Sequence, residues 1–427
     1  MRIAFVVGKF PKLSKTFILN QITGLLDLGH EVDVYARPTL ESTNKNHADI
    51  ERYKIREKTI YLPFTSGNSF KGRTKLFSCY VYLASSTSPI ELFRLLRRCN
   101  NENGNHIFDA LSYSTIHKCR KEPYDIIHCH FAEQSQSALL LKLAHSPNAK
   151  IVTTFHGHDV NVAKTINQNF DIYQMMFSKG DLFTANTNFT ADKASKLGCP
   201  KDKIRILPVG LNPSRYPFSR RQVESDGTVK VVTVGRLVEK KGIEYSIRAI
   251  ALALQNHPTL KIQYTIIGEG NQRAALEKLT SSLGLSEKVS FLGAMTQAEV
   301  RDVYDSSHIF LLSSVTASNG DMEGQALVLQ EAQCMGLPII STLHNGIPEG
   351  VMDDKSGFLV PEKDVDALSA KLAYLALNPD LWQTMGQAGH DFVKNRYDIG
   401  RLNDQLVSLY KKLLSNENLH RACTSTR

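Results

Sequence analysis

The chain opens with RIAFVVGKFPKLSKTFILNQITGLLDLGHEVDVYAR (residues 2–37), and this stretch decides the fold class. Residues 3–7 are an apolar run that predicts a β-strand, and residues 31–36, rich in β-branched side chains, predict a second. Between them, residues 15–28 predict a helix with Ser14 as its N-cap. A strand–helix–strand unit forms parallel strands with a right-handed crossover. The chain therefore begins as an α/β fold.

The same alternation continues along both halves of the chain. In the first half, strands are predicted at residues 125–131, 150–155, 181–185 and 204–209, and a helix at 135–144. In the second, strands are predicted at 230–234, 261–267, 289–292, 309–312, 338–341 and 357–360, and helices at 242–254, 364–376, 379–395 and 401–414, followed by a frayed polar tail from Ser415. Short, continuous apolar strands are typical of parallel sheets that are buried on both faces.

These elements predict two doubly wound, Rossmann-like domains at residues 1–210 and 230–395, facing a central cleft. Residues 211–229 contain two prolines, a pair of arginines and no hydrophobic periodicity, so they are interpreted as the linker. Residues 396–427 are expected to form a C-terminal helix and tail that cross back to the first domain. Ligands of such sheets bind beyond the carboxyl ends of the strands.

The composition narrows the class of protein. The 427 residues are 42% hydrophobic, which is enough for large cores, and no run of 18 apolar residues predicts a transmembrane helix. The apolar run at the N-terminus is too short for a signal peptide, so a cytoplasmic location is expected. The seven cysteines are scattered without a CxxC pair, which favours buried thiols over disulfides or a zinc ribbon.

The net charge of +9 is concentrated in one segment. Residues 51–122 carry thirteen Lys or Arg and six Asp or Glu, a net charge of +7. This segment fits a solvated surface, but also contact with an anionic membrane surface or an anionic acceptor. Nucleic acid is disfavoured because aromatic residues do not alternate with the basic ones. Residues 44–121, which include most of this segment, have poorer periodicity and are expected to hold helices and loops over the sheet.

The most informative stretch is SSVTASNGDMEGQALVLQE (residues 313–331), which follows an apolar strand and predicts a helix opening at about Gly324. Glu323 and Glu331 are eight residues apart, about 12 Å along a helix, so both carboxylates could line an elongated ligand such as a nucleoside-diphosphate sugar. Taken alone, the spacing also fits a helix cap and a surface residue. Backbone N–H groups at the helix start would form an anion site; they belong to Gly324, Gln325 and Ala326.

A second candidate is VGRLVEKKG (residues 234–242), at the end of another strand. Gly235 would let a ligand approach the backbone, and Arg236 and Lys241 could hold a diphosphate and stabilise it as it departs. A solvated basic loop fits the same residues. A nearby GEG turn at the end of the next strand contributes Gly268 and Glu269.

In the first half, TFHGHD follows a strand and includes Asp159, and its His156, beside a glycine at the strand end, is well placed to point into the cleft. Gly8, at the end of the first strand, is the expected close-approach glycine on the same side. A metal site is a disfavoured alternative, since no carboxylate or cysteine spacing supports it. It would be formed by His128, His130, His156 and His158.

Together, these segments resemble the retaining GT-B glycosyltransferases of glycosyltransferase family 4, closest to the bacterial exopolysaccharide enzymes of the colanic-acid type. The resemblance covers nearly the whole chain. It rests on FPKLSKTFILNQ, TFHGHDV, VGRLVEKKG, IIGEG, FLG, SVTASNGDMEGQALVLQEA, STLHNGIPE and SGFLVPEKD.

The resemblance implies a role for each matching residue. Arg236 and Lys241 would hold the donor diphosphate, Glu331 the ribose hydroxyls, and Glu323 the transferred sugar. The catalytic set would be His156, Glu323, Arg236 and Lys241. The donor site would add Gly235, Gly268, Glu269, Gly324, Gln325, Ala326 and Glu331, and the acceptor side Gly8, Thr16, His156 and Asp159. The family needs no bound metal or other cofactor.

The resulting hypothesis is a hexosyltransferase that uses a nucleotide sugar, UDP-linked rather than GDP-linked, and a lipid-linked or oligosaccharide acceptor. It would lie on the cytoplasmic face of the inner membrane, held there by residues 51–122, with no nucleic-acid partner. Two alternatives stay open: a nucleotide-sugar epimerase of the same architecture, and a non-catalytic glycan- or membrane-binding member.

Overall fold

The structure is a computed structural model that describes residues 1–11, 16–37, 48–61 and 122–424. Within these ranges the chain forms two parallel sheets with helices packed on both faces. The described helices include none that is long and apolar enough to span a membrane.

The first sheet contains seven short strands, of which the central ones are buried and the edge strands partly exposed. They are β1 (Arg2–Lys9), β2 (Glu31–Arg37), β3 (Thr59–Tyr61), β4 (Ile126–His130), β5 (Lys150–Phe155), β6 (Leu182–Ala185) and β7 (Ile204–Ile206). The helices around it are α1 (Thr16–Asp27), α2 (Ala48–Arg52), α3 (Ser135–Ala144), α4 (His158–Asn161), α5 (Ala163–Gln168), α6 (Phe170–Lys179) and α7 (Asn188–Lys196).

The second sheet contains six strands. They are β8 (Thr228–Val234), β9 (Lys261–Ile267), β10 (Val289–Gly293), β11 (Ile309–Leu312), β12 (Ile339–Thr342) and β13 (Gly357–Val360). The helices that follow in chain order are α8 (Ile243–Asn256), α9 (Arg273–Ser282), α10 (Gln297–Asp305), α11 (Leu327–Cys334), α12 (Val365–Leu377), α13 (Asp380–Arg396) and α14 (Ile399–Thr424).

The strand order places the cleft. The sheets run β3-β2-β1-β4-β5-β6-β7 and β10-β9-β8-β11-β12-β13, and the observed pairs are parallel. The order reverses between β1 and β4 in the first sheet and between β8 and β11 in the second. Loops that leave these strand ends diverge and open a crevice, where ligands of doubly wound sheets bind. The predicted architecture of two doubly wound domains is confirmed.

Four local expectations were wrong. Strand β3 lies in a stretch that was expected to hold only helices and loops, and its three residues are too few to show a period. The helix expected at Gly324 begins at Leu327. Strand β8 begins at Thr228, inside the expected linker, and the last helix extends to Thr424 instead of fraying from Ser415. The predicted N-cap at Ser14 and residues 62–121 lie outside the described residues.

The last helix, α14, packs on α1 and closes the core of the first sheet. Leu402, Leu406 and Tyr410 are buried in the same cluster as Ile18 and Leu19 of α1. The Tyr410 hydroxyl lies 2.6 Å from Nδ1 of His128 on β4. The end of the chain thus completes the domain with which the chain begins, and it ties the two halves together.

We expect Leu406→Ala to destabilise the protein by about 2–5 kcal/mol, because it leaves a cavity where α14 closes the core of the first sheet. Denaturant unfolding, monitored by far-UV circular dichroism, measures this loss of stability. Leu377→Ala is the matched control, since Leu377 is 51% exposed. Equal losses for both variants would show that α14 adds nothing to the core.

Candidate active site

The centre of the candidate site is a buried ion cluster around Glu323. Its carboxylate lies 2.9 Å from Nζ of Lys241 and 3.4 Å from Nζ of Lys240. Lys240 also lies 3.1 Å from the Asp321 carboxylate. The two lysines come from the loop after β8, and the two acids from the loop after β11. The cluster therefore joins the loops at the switch point of the second sheet.

This cluster keeps Glu323 ionised. Burial by itself would raise its pKa, but the ammonium groups of Lys241 and Lys240 outweigh burial and hold the pKa of Glu323 at about 2. A carboxylate at this position is therefore a fixed negative charge, beside two ammonium groups, over the whole physiological range of pH. Of the two lysines, the sequence analysis singled out only Lys241, because a second adjacent cation carries no separate signal.

Arg236 lies beside this cluster and is exposed. Its guanidinium makes no ion pair or hydrogen bond with another described residue, so its donors point to solvent. Gly235 lies against the Lys241 side chain: a Cβ there would lie 3.3 Å from Cε of Lys241. Gly268 packs on the carbonyl of Gly235. The structure thus brings the predicted glycines and cations together at one edge of the sheet.

Glu269 was predicted at the donor site, and the structure gives it a different contact. Its carboxylate forms an ion pair with Arg273 in the first turn of α9. Its side chain is half exposed. Glu269 thus forms a local ion pair within the second domain, and its predicted contact with a donor stays a prediction.

The segment before α11 departs from the expectation in detail. Because the helix begins at Leu327, Gly324 to Ala326 lie in irregular backbone before it and do not form its first turn. Glu331 is therefore one turn into the helix, not two. The Gln325 side chain holds the Val209 backbone: Oε1 accepts its N–H and Nε2 donates to its carbonyl, both at 2.8 Å. This amide pair joins the second domain to the end of the first. The predicted contact of the Gln325 backbone N–H with a donor stays a prediction.

Glu331 occupies a very different environment from Glu323. Its carboxylate accepts a hydrogen bond of 3.1 Å from the Tyr216 hydroxyl. Glu323, by contrast, is contacted by the ammonium groups of Lys241 and Lys240. Burial raises the pKa of Glu331 to about 7, although the Tyr216 bond lowers it in part. Tyr216 lies in a stretch that the sequence analysis took as linker, so its contact with the site was missed.

The first domain contributes the loop after β5, which is held by a buried carboxylate. Oδ1 of Asp159 accepts the backbone N–H groups of His156 and Gly157, each at 3.0 Å, and Oδ2 accepts that of Ala132 at 3.1 Å. Burial raises the pKa of Asp159 to about 6. Asp159 was predicted on the acceptor side; the structure places its buried carboxylate beneath the loop, where it positions His156, and a role toward an acceptor stays a prediction.

His156 ends a stack of three histidines. His128 and His130 have ring centroids 4.6 Å apart, His130 and His156 5.1 Å apart, and Nδ1 of His130 lies 2.9 Å from Nε2 of His156. Burial lowers the pKa of His128 to about 3, so this ring is neutral. His158, the fourth residue of the alternative metal site, faces Asp321 across the cleft at 3.8 Å. The described residues contain no group of three or more His, Cys, Asp or Glu that could hold a metal ion.

The two domains touch through backbone at the site. A Cβ at Gly324 would lie 2.6 Å from the His156 carbonyl oxygen, and one at Gly157 would lie 2.9 Å from Cα of Gly324. Only glycine permits this approach. His156 and Glu323 are consequently on facing walls of the same narrow cleft. Gly8 lies in β1 and Thr16 is the first residue of α1, both in the first domain.

We expect Glu331→Gln to stabilise the protein at alkaline pH. The folded carboxyl has a pKa of about 7 against an ordinary value of 4.5, so the unfolded chain loses this proton first and stability falls as the pH rises through that window. Glutamine removes the effect, so the variant should gain roughly 3 kcal/mol at pH 8 and nothing at pH 4. Denaturant unfolding across this range measures the difference.

Glu287→Gln is the matched control, because Glu287 is exposed on the same domain. If the free energies of unfolding of the wild type and Glu331→Gln change in parallel from pH 4 to pH 8, the raised pKa of Glu331 is contradicted.

Two family profiles together match most of the chain. Residues 14–215 match Glycosyltransferase Family 4, and residues 216–392 match Glycosyl transferases group 1. The chain is 32% identical to WcaL of Escherichia coli K12, over 97% of this chain and the full length of that protein; the relative's name assigns it to colanic acid biosynthesis. It is 31% identical to the amylovoran biosynthesis glycosyltransferase AmsK of Erwinia amylovora, over 88% of this chain and 91% of the relative.

Solved structures of similar fold agree. A glycosyltransferase from Rickettsia africae superposes with a TM-score of 0.69 at 18% identity, covering 97% of this chain and 99% of that one. Anabaena HepE in complex with UDP-glucose superposes with a TM-score of 0.67 at 17% identity, covering 96% of this chain and all of that one. The expected resemblance is confirmed: the chain belongs to the glycosyltransferases that join a family 4 domain to a group 1 domain, and its two facing Rossmann-like domains are the GT-B fold.

Proposed function

We propose that the chain is a retaining glycosyltransferase that moves a hexosyl unit from a nucleoside-diphosphate sugar to a lipid-linked or oligosaccharide acceptor in the synthesis of a bacterial surface polysaccharide. The observation that carries the proposal is the buried Glu323–Lys241 pair beside the exposed Arg236, facing His156 across the cleft. The relatives named for colanic acid and amylovoran biosynthesis, and the UDP-glucose bound to a structural neighbour, support it.

The diphosphate of the donor would lie against Arg236 and Lys241. Arg236 offers a fork of donors that suits phosphate oxygens, and Lys241 would share its ammonium between Glu323 and the nearer phosphate. Two cations fixed at a strand end offset the charge of the departing nucleotide without solvent having to reorganise. These cations would take the place of a metal ion, so the reaction is proposed to be metal-independent.

The nucleoside end would lie against Glu331. A carboxylate accepts up to about four hydrogen bonds, so the bond from Tyr216 leaves capacity for the two ribose hydroxyls. A uridine nucleotide is favoured over a guanosine one. At the other end, Glu323 and the backbone of Gly324 would bind the hydroxyls of the transferred sugar, and His156 would contact the sugar from the opposite wall.

The transfer itself exchanges one bond to the anomeric carbon for another. The bond from that carbon to the phosphate oxygen breaks, the acceptor oxygen forms the new bond on the same face, and the acceptor proton passes to the leaving phosphate. Whether this occurs in one step or through a short-lived ion pair, the anomeric configuration is retained. The residues of the chain position the reactants and stabilise the leaving group.

We expect Arg236→Ala and Lys241→Ala each to lower the rate of sugar transfer by about 10²–10³-fold, because each removes a charge that stabilises the leaving diphosphate. Glu331→Ala should abolish donor binding. The assay screens UDP, GDP and ADP for thermal stabilisation, then follows transfer from the conjugates of the nucleotide that binds. A donor at 100 times its Kd should add about 2.7 kcal/mol of stability.

Arg248→Ala is the matched control, since Arg248 is exposed on α8 and faces away from the ion cluster. Full activity of Arg236→Ala and of Glu331→Ala would overturn the proposal. Interconversion of the donor without any acceptor would identify an epimerase, and nucleotide binding absent in all cases would favour a non-catalytic member. Proton NMR of the product reads the anomeric configuration.

The acceptor face is proposed to meet the cytoplasmic surface of the inner membrane through the basic segment, residues 51–122. A cluster of lysines and arginines is attracted to anionic lipids at about 1 kcal/mol for each basic residue near the surface. A peripheral location of this kind would deliver a lipid-linked acceptor to the first domain, whose loop after β5 carries His156.

Reversing the charge of Arg94, Arg97 and Arg98 to Glu should weaken binding to vesicles that contain anionic lipid, and salt should weaken the wild type in the same way. Co-sedimentation measures both. These three residues lie outside the described part of the chain, so the choice rests on their charge in the sequence. Unaltered co-sedimentation would overturn the membrane part of the proposal alone.

A further inference from the structure

The backbone of Glu323 is held from both sides by one loop of the second domain, the turn between β12 and residue 347. Nε2 of His344 accepts the backbone N–H of Glu323 at 3.1 Å. The side-chain amide of Asn345 donates to the Glu323 carbonyl at 3.3 Å. Both peptide groups that flank the Glu323 side chain are therefore fixed by neighbouring residues of this turn.

The hydrogen bonds assign the tautomer of His344. Two N–H donors converge on Nε2, from the Glu323 backbone and from Asn345 Nδ2 at 2.9 Å, so Nε2 must bear a lone pair. The proton is then on Nδ1, which donates to Oε1 of Glu362 at 2.5 Å. The His344 side chain is fully buried, so water cannot replace either partner without a change in the fold.

Glu362 connects the two ends of the loop that carries Glu323. One carboxylate oxygen accepts Nδ1–H of His344, and the other accepts the backbone N–H of Thr316 at 2.8 Å. Thr316 lies near the start of that loop and Glu323 near its end. Although partial burial raises the pKa of Glu362, the bonds from His344 and Thr316 outweigh it and the net pKa is lowered. Glu362 therefore stays an acceptor on both oxygens.

We propose that His344 and Glu362 form a positioning pair. Glu362 fixes the tautomer and position of the His344 ring, the ring fixes the Glu323 backbone, and the Glu323 carboxylate is thereby held at the transferred sugar. The inference rests on the proposed function for its catalytic consequence. The pair touches no reacting atom; it acts through the backbone of Glu323. In the sequence analysis, both residues appeared only inside the segments STLHNGIPE and SGFLVPEKD, without a role.

Glu362→Gln is the decisive variant, because glutamine keeps the shape but has only one acceptor oxygen. Either Thr316 or His344 must then face an NH₂ group. We expect kcat to fall about 10- to 100-fold, the usual effect of a lost supporting contact, while the KM for the donor and the Kd of the free nucleotide change little. A merely structural loss would lower the fraction of active protein and leave the kcat of the folded fraction unchanged.

Two substitutions of His344 separate its two bonds. His344→Gln places an acceptor near the position of Nε2 and should keep more activity than His344→Asn, which places its amide near Nδ1 and leaves the Glu323 N–H without an acceptor. His390→Gln is the matched control: Nδ1 of His390 lies 2.6 Å from the carbonyl oxygen of Cys334, the last residue of α11, and contacts neither Glu323 nor Glu362. It should retain wild-type kcat.

Two further measurements test the pair without any assay of activity. Hydrogen exchange of the peptide that covers Glu323 should accelerate in Glu362→Gln. The ring ¹⁵N shifts of His344 in histidine-labelled protein should show protonated Nδ1 and unprotonated Nε2. Unchanged exchange together with unchanged kcat, or a proton on Nε2, would overturn the pair. If the wild type transfers no sugar, the proposed function fails, while exchange and the ring shifts still decide the pair.

Discussion

The structure depends on one buried carboxylate. Placing the Glu323 side chain away from water would cost several kcal/mol if it were alone, and the cost is offset because Lys240 and Lys241 are within reach. The dependence is mutual, since both lysines are also buried: Lys241 would lose its ion-pair partner without Glu323, and Lys240 would keep only Asp321. The loop after β8 and the loop after β11 must therefore fold together. This requirement fixes the floor of the cleft and brings the predicted donor residues into one place.

The opposite wall is set by contacts between the domains instead of by charge alone. Gly324 lies against the carbonyl of His156, and the Gln325 amide holds the Val209 backbone. Further along, both carboxylate oxygens of Glu349 accept backbone N–H groups at the start of α7, in the first domain. A carboxylate at that end of a helix also complements the helix dipole. The distance from His156 to Glu323 is therefore set by these backbone contacts, and a ligand between the domains has to fit within it.

Much of this arrangement was predictable from the sequence, and the remainder was not for physical reasons. Two strands were found to the residue because their patterns are clear. Ile309–Leu312 is an unbroken apolar run, as in a strand buried on both faces, and Lys261–Ile267 alternates polar and apolar residues before its apolar end. The start of α11 was misplaced because glycine near a helix start permits extended backbone as readily as helix. Tyr216, Lys240 and His344 were missed because their contacts join residues from 18 to 115 positions apart, and pairing at that range leaves no local pattern in one sequence. The side-chain contacts of Gln325 and Asp159 with backbone were not foreseen for the same reason, because a polar residue near a cleft can bind ligand or backbone according to where neighbouring strands end.

The two glutamates show how far environment outweighs residue type. They are eight residues apart, yet the pKa of Glu323 is lowered to about 2 and that of Glu331 is raised to about 7. Two ammonium groups contact the first, whereas a tyrosine hydroxyl contacts the second, and a hydroxyl offsets burial less than a full charge does. The end of the cleft proposed for the sugar therefore keeps its charge at any physiological pH. The end proposed for ribose can gain or lose a proton near neutrality, and hydroxyl donors from a nucleoside would favour the ionised form. Under the proposed function, nucleotide binding would therefore be coupled to proton release, and its strength would depend on pH through Glu331 and not through Glu323.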